Sequence, residues 1–348
     1  MKLRQIGEFG WIRRMQARLP KPGKRVLAGI GDDAAWLQMQ KTTLVTCDLL
    51  IENVHFLREL TPPRLLGRKS LSVNISDIAA MAGIPEFAIV AAGFPQDIEL
   101  GYADQILEGM MEVASENKVE IVGGDTTASS VLTLAVTVLG KPGPRGPVLR
   151  STARPGDELW VTGTVGDAGL GFEILKQSRQ RESGISELHY SSLTVRHLDP
   201  RARVEPGLRL AGIATAMIDV SDGILNDLAR ILEESSKKVI LKAGLEVEKI
   251  PLSEDFKKYF DGQPLKSERG LSLALTGGED YELLFSAAPA AGREIRKISA
   301  GLELPITRIG KLKVAAKTEI VLRDRKGKRV PAPRLWFEHF PQGNKAES

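Results

Sequence analysis

The sequence predicts an α/β (α+β) protein of two domains. Three observations carry that prediction. Short β-branched runs alternate with stretches of helical apolar spacing through most of the 348 residues. Glycines close many of these runs, as tight turns require. One proline-rich break, KPGPRGPVLRSTARPGDE at 141–158, divides the chain. Its Pro142, Pro144 and Pro147 are incompatible with a helix or a regular ladder through that point. The predicted domains are 1–145 and 146–340, followed by a polar tail at 341–348. This length is enough for two separate cores.

In the first half, TTLVTCDLL (42–50) reads as a strand ending near Asp48. PPRLLGRKSLSVNISDIAAMAG (62–83) has a proline entry, a stripe of Leu65, Leu66, Val73, Ile78 and Met81, and a glycine stop, and so reads as a helix. EFAIVAAGF (86–94) reads as a buried strand, and residues 102–119 as a helix. VEIVGG (119–124) reads as a strand broken by its glycines, and VLTLAVTVLG (131–140) as another strand. The second half places LWVTGTVGDAGLGFEIL (159–175), ATAMIDVSDGILNDLARILEES (214–235), LSLALTGGEDYELLFSA (271–287) and PITRIGKL (305–312) in the same alternation. Within the third, TGGEDYELLF reads as an apolar strand, two glycines, two carboxylates and a second strand.

Composition removes several functional classes. A net charge of +4, from 48 basic and 44 acidic residues, is too small a footprint for a nucleic-acid partner. Cys47 is the only cysteine, so no intrachain disulfide or cysteine-rich metal site is expected. No apolar run approaches membrane-spanning length, and MKLRQIGEFGWIRRMQARL lacks a signal core. The expectation is a cytoplasmic protein without a membrane partner. The chain has no GxxxxGK[ST] and no HExxH motif, and the spaced glycines of TGTVGDAGLG (162–171) are weak evidence for a phosphate loop.

Carboxylates gather instead at glycine-rich breaks. Asp33 lies in GIGDDAAW, Asp48 follows LVTC, Asp125 follows EIVGG, and Asp219 and Asp222 lie in AMIDVSDG. Asp77 lies in the predicted helix SVNISDIAAM, with Asn74 one turn earlier on the same face. Each alone reads as a turn or cap. Together they suit hard divalent cations, since magnesium is held by a few carboxylates, water and substrate phosphates. Asp222 is either the N-cap of the following helix or a metal or phosphate contact, and the two roles are compatible. Glu279 or Asp280 either recognises a cationic ligand or caps its turn. Trp336, Phe337 and Phe340 read first as an anchor for the C-terminus.

In order, GEFGWIRR, GIGDDAAW, TCDLLIENVHF, SVNISDIAAMAG, VGGDTT, LRSTARPGDELWVTGTVGDAG, DVSDGILNDL, GGEDYELLF and FEHF resemble the thiamine-monophosphate kinase family. That family is part of a superfamily with aminoimidazole ribonucleotide synthetase and selenophosphate synthetase. The resemblance implies that an N-terminal and a C-terminal α/β domain form a cleft, and that N-terminal domains pair in a homodimer. It implies ATP and thiamine monophosphate as substrates and several Mg2+ ions as cofactors. Asp33, Asp48, Asp77, Asp125, Asp219 and Asp222 match metal-site aspartates, and Thr46 and Cys47 match small residues that give oxygen ligands beside Asp48. Gly124, Asp125, Arg150 and Ser221 match nucleotide-contacting positions. Asn117 stands at or beside a place where the family often has a tyrosine near the nucleotide. His55, Glu279 and Phe337 match contacts to the thiamine substrate, which turns Phe337 from an anchor into a ligand wall. Asn53 stands where glycine is common. Asp32 either contacts a further metal or shapes its turn. No general base or covalent nucleophile is expected.

Overall fold

The computed structural model describes residues 2–30, 35–39, 41–180, 192–237 and 239–333. After α1 (Gly7–Arg18), a short ribbon pairs β1 (Val26–Ala28) with β2 (Trp36–Leu37). Then follow β3 (Leu44–Ile51), α2 (Pro63–Ala80), β4 (Gly83–Phe94), α3 (Leu100–Asn117), β5 (Glu120–Ala128) and β6 (Thr133–Pro142). The four strands form a sheet in the order β3-β6-β4-β5. β4 and β5 are parallel across the α3 connection, and the other neighbours are antiparallel.

α2 positions much of the site. Pro63 occupies its first turn, where a missing N–H costs nothing. From Leu66 to Ala80 the helix is buried almost without interruption, and Lys69, Ser70, Ser72, Asn74 and Ser76 are buried with it. A helix buried all round is normally apolar, so these polar side chains need partners inside the fold. α2 crosses α3 at backbone distance. A Cβ on Gly67 would stand 1.9 Å from the Ile106 carbonyl oxygen, and one on Gly109 would stand 1.9 Å from that of Arg64.

The second half contains β7 (Glu158–Thr162), α4 (Asp167–Gln180), α5 (Ser192–Leu198), α6 (Val204–Leu210), β8 (Ala214–Asp219), α7 (Ile224–Ser235) and β9 (Leu241–Glu246). It continues with α8 (Glu254–Tyr259), α9 (Glu268–Thr276), β10 (Leu283–Ala287), α10 (Gly292–Leu302), β11 (Ile306–Val314), β12 (Glu319–Arg323) and β13 (Arg329–Val330). Its sheet runs β13-β12-β9-β11-β7-β10-β8, with only β12 and β9 parallel. Leu159, Val161, Ile218, Leu228, Ile231 and Leu284 form the centre of its core. A separate apolar cluster spans the junction, packing Ala80 and Ala82 with Leu210, Met217 and Phe285. Arg68 of α2 adds an ion pair to Asp199 at 2.8 Å beside this junction.

Three expectations need correction. β3 continues past Asp48 to Ile51, and β5 runs through both glycines to Ala128, so Asp48 and Asp125 lie within strands rather than at their ends. Gly124 does not break β5: it lets the strand lie so close to β4 that a Cβ there would come 1.9 Å from the Val90 carbonyl oxygen. The apolar run before GGED is helix α9, not a strand. Ser267 caps it by accepting a hydrogen bond from the Gly270 N–H at 3.1 Å, a local signal outweighing the short apolar run.

Candidate active site

The site is built where α2 lies between β3 and the end of β8. Alternation along β3 turns Thr46, Asp48 and Leu50 toward α2 and leaves Val45, Cys47 and Leu49 on the opposite, exposed face. The Thr46 hydroxyl donates to Asp77 at 2.5 Å. The Asp48 backbone N–H donates to the Asn74 side-chain oxygen at 2.8 Å. The Ser76 hydroxyl donates to Asp219 at 2.6 Å, joining α2 to the second sheet. Asn74 and Asp77 therefore share a face toward β3, as their spacing predicts.

Electrostatics link carboxylates from separate elements. Burial, then repulsion from Asp77 and Asp222, pushes the Asp48 carboxyl up to about 6. Burial, then Asp77 and Asp48, pushes Asp219 up to about 7, although Ser76 opposes the rise. Burial also raises Asp77, against the hydrogen bond from Thr46 and the charge of Arg150. Asp227 is held well above the carboxylate range by burial, then by Asp219 and Asp222. This buried α7 residue also accepts the Asp222 N–H at 3.1 Å and so shapes the loop after β8. The sequence reading missed it. Its signal was an acid five residues after Asp222 in an otherwise strongly apolar helix face.

Asp222 does not cap α7: Gly223 holds that position, while the Asp222 carboxylate pairs with Arg230 at 2.5 Å. Arg150 lines a cleft of about 310 Å³ with Thr46, Asp77 and Asp219. The Ser221 carbonyl accepts the Glu279 N–H at 2.8 Å, and the Val220 carbonyl accepts the Tyr281 N–H at 2.9 Å. These two bonds tie the GGEDYE loop to the acidic loop after β8. Glu279 lies 2.9 Å from Lys69 and 2.9 Å from His197. Asp280 instead accepts the N–H groups of Gly166 and Ala168 at 2.6 and 3.1 Å, serving the start of α4.

Other predicted residues lie apart. Cross-strand register places Asp125 in one row with Ala91, Ala135 and Leu49, on the exposed sheet face opposite Asp48. Gly124 falls in the row of Asp48, Val136 and Val90. Asn117 ends α3 and its amide donates to the Val113 carbonyl at 2.9 Å. His55 lies in the turn after β3, its Nδ1 accepting the Ile51 N–H at 3.0 Å. Asn53 opens that turn at φ 66, a left-handed conformation that asparagine tolerates better than most residues, so it can stand in for glycine. Asp32, Asp33 and Phe337 lie outside the described residues.

Among the described residues, no three His, Cys, Asp or Glu side chains are arranged to hold a metal ion. The donor chemistry nevertheless suits a hard cation. Asp48, Asp77, Asp219 and Asp222 offer oxygen, and positive charge would relieve the repulsion that raises Asp48 and Asp219.

Residues 31–141 match the AIR synthase related protein N-terminal domain, and residues 154–323 match the corresponding C-terminal domain. The thiamine-monophosphate kinase of Salmonella typhimurium is 34% identical over 96% of this chain and 98% of its own. The chain belongs to the thiamine-monophosphate kinase family. Within that kinase family, the crystal structure from Stenotrophomonas maltophilia is 34% identical, with a TM-score of 0.77 over 89% of this chain and 94% of that one. A structure described as AaThiL complexed with AMPPCP and TMP is 32% identical, with a TM-score of 0.71 over 98% of this chain and 99% of that one.

Proposed function

We propose that this protein transfers the γ-phosphoryl group of ATP to thiamine monophosphate, giving thiamine diphosphate and ADP. The observation that carries the proposal is the near full-length similarity to a kinase solved with AMPPCP and TMP. The meeting of Asp48, Asp77 and Asp219 at the junction of the two halves supports it. Residues 1–145 supply the ATP- and metal-binding, dimerising domain in this reading, and residues 146–340 close the cleft.

The acceptor is a phosphate monoester and is already anionic near neutrality, so no general base is required. The barrier is repulsion between two phosphates, together with charge on the transferred group. An acceptor oxygen forms the new P–O bond as the bond to the ADP oxygen breaks, in line and without a phosphoenzyme. Mg2+ would be held at the cluster of Asp48, Asp77, Asp219 and Asp222 beside Thr46, where it would supply charge neutralisation and alignment. Asp33, Asp125 and Cys47 join the metal set by family resemblance alone, Asp125 and Cys47 lying on the other face of the first sheet. Arg150 and Ser221 contact the nucleotide beside this cluster. Gly124, Asp125 and Asn117 are assigned to it by family resemblance, Asn117 as the stand-in for the family's tyrosine. His55, Glu279 and Phe337 receive the thiamine moiety, with the aromatic ring suited to cation–π contact.

A homodimer is part of the same reading. Val45 is 62% and Leu49 45% exposed on the free face of the first sheet. A second copy of that sheet would cover them. A cytoplasmic location, where ATP is supplied, belongs to the same reading. Among the described residues no helix is long and apolar enough to cross a membrane.

An ADP-release assay comparing thiamine monophosphate, free thiamine and aminoimidazole precursors tests the assignment. Mg2+-dependent release with thiamine monophosphate alone is expected. Release with an aminoimidazole precursor, and none with thiamine monophosphate, would overturn it.

A further inference from the structure

Lys69 is 1% exposed, yet it carries an ammonium group into the junction between the two halves of the chain. Its Nζ stands 2.9 Å from Glu279 Oε1 without the alignment of a hydrogen bond. His197 Nδ1, also buried and also lacking that alignment, stands 2.9 Å from Glu279 Oε2. The imidazole is itself fixed by stacking on Phe172, with ring centroids 4.8 Å apart. Two buried nitrogens from two helices thus converge on one carboxylate. Glu279 keeps 28% of its side chain exposed, so part of it remains open to a ligand.

Stability does not account for this arrangement. A buried ion pair is generally no more stabilising than apolar residues filling the same space. The backbone at Glu279 is also held at φ 67, a left-handed conformation unfavourable for glutamate. Its N–H is tied to the Ser221 carbonyl at 2.8 Å, in the acidic loop after β8. Lys69 and Ser76 are seven residues apart and lie on one face of α2. That single face reaches Glu279 at one end and Asp219 at the other.

We infer that Lys69 is a positioning residue, which with His197 fixes the Glu279 carboxylate to receive the cationic ring of the acceptor. The inference rests on the proposed function and gives a mechanical role to a lysine that touches neither substrate. α2 becomes a ruler between the two ends of the acceptor: Asp77 and Ser76 set the phosphate end, and Lys69 sets the ring end. Burial drives the Glu279 carboxyl toward protonation, and Lys69 foremost outweighs it, holding the group well below the usual carboxylate range. Burial and then Lys69 hold the His197 imidazole below its own usual value, so His197 serves Glu279 by position more than by charge. Removing Lys69 therefore costs the position of the carboxylate and the positive charge that faces it.

The test compares Lys69→Met, Lys69→Arg, Glu279→Gln and Lys69→Met/Glu279→Gln by steady-state kinetics. Lys69→Met should raise KM for thiamine monophosphate by about tenfold and move KM for ATP less than about twofold. Lys69→Arg should recover part of the loss. The double variant should be no worse than Glu279→Gln alone, because the two residues act as one unit. It also removes both buried charges, so it remains measurable if Lys69→Met fails to fold. Equal rises in both KM values, or additive losses in the double variant, would overturn the positioning role. If Glu279→Gln leaves KM for thiamine monophosphate unchanged, the assignment of Glu279 as an acceptor contact fails, and the positioning role falls with it, while the ADP-release assay still decides the proposed reaction separately.

Discussion

Asp77 shows how much one residue carries in this site. It accepts the Thr46 hydroxyl, raises both Asp48 and Asp219, and feels the charge of Arg150. Asp77→Asn keeps the shape and removes a charge from a repulsive group. We expect the variant to fold normally in chelator and to lose turnover by about 100-fold or more, with the loss greatest at limiting Mg2+. Thermal unfolding and steady-state rates over a Mg2+ series check this, and near wild-type rates at limiting Mg2+ would refute the metal role. Asp48, Asp77 and Asp219 were legible in the sequence because a carboxylate in an apolar run needs a reason to be there. Lys69 was not, since it occupies an ordinary helical position and acquires meaning only from Glu279, a partner distant in sequence. Asp227 was missed although its partner Asp222 is five residues away, because it too reads as an ordinary helical acid. Asp125 shows the opposite limit. Its motif is clear, but strand register places it on the sheet face opposite Asp48.

Elements hold these residues through a few close contacts. The α2–α3 crossing leaves no room for a Cβ at Gly109, where the obstruction is the Arg64 carbonyl oxygen. Gly109→Ala should force the helices apart and destabilise the protein by roughly 3 kcal/mol, near the upper end for overpacking. Urea unfolding measures the loss; a change below the error of the extrapolation would show that the crossing relaxes freely. Residual activity should fall as well, because α2 carries Asp77, Ser76 and Lys69. The positions of α2, α3 and most strands could be read from apolar spacing and proline or glycine punctuation. The helix before GGED could not, because six apolar and small residues between turns fit a strand equally well until the Ser267 cap is recognised.

At the scale of the whole molecule, the division near 141–158 was visible in its prolines, and the sheets on either side are separate. Strand order and the contact between the halves were not visible, because pairing is set by long-range packing rather than local pattern. That contact makes stability depend on the site. Asp219 is 4% exposed at the junction, and its folded value of about 7 exceeds the ordinary unfolded value of about 3.9. A group raised in the folded state contributes its full stability at low pH and loses it as pH rises through the folded value. Metal-free protein should therefore lose this contribution between about pH 4 and pH 7, as the buried carboxyl is made to ionise beside Asp77 and Asp48. Asp219→Asn escapes the loss. In chelator, its melting temperature should gain on wild type between pH 5 and pH 8, while Mg2+ at pH 8 should raise the wild type more than the variant. Thermal unfolding of both proteins at the two pH values measures these differences. A gap that stays constant with pH would mean that Asp219 is not the group linking the junction to the charge of the site.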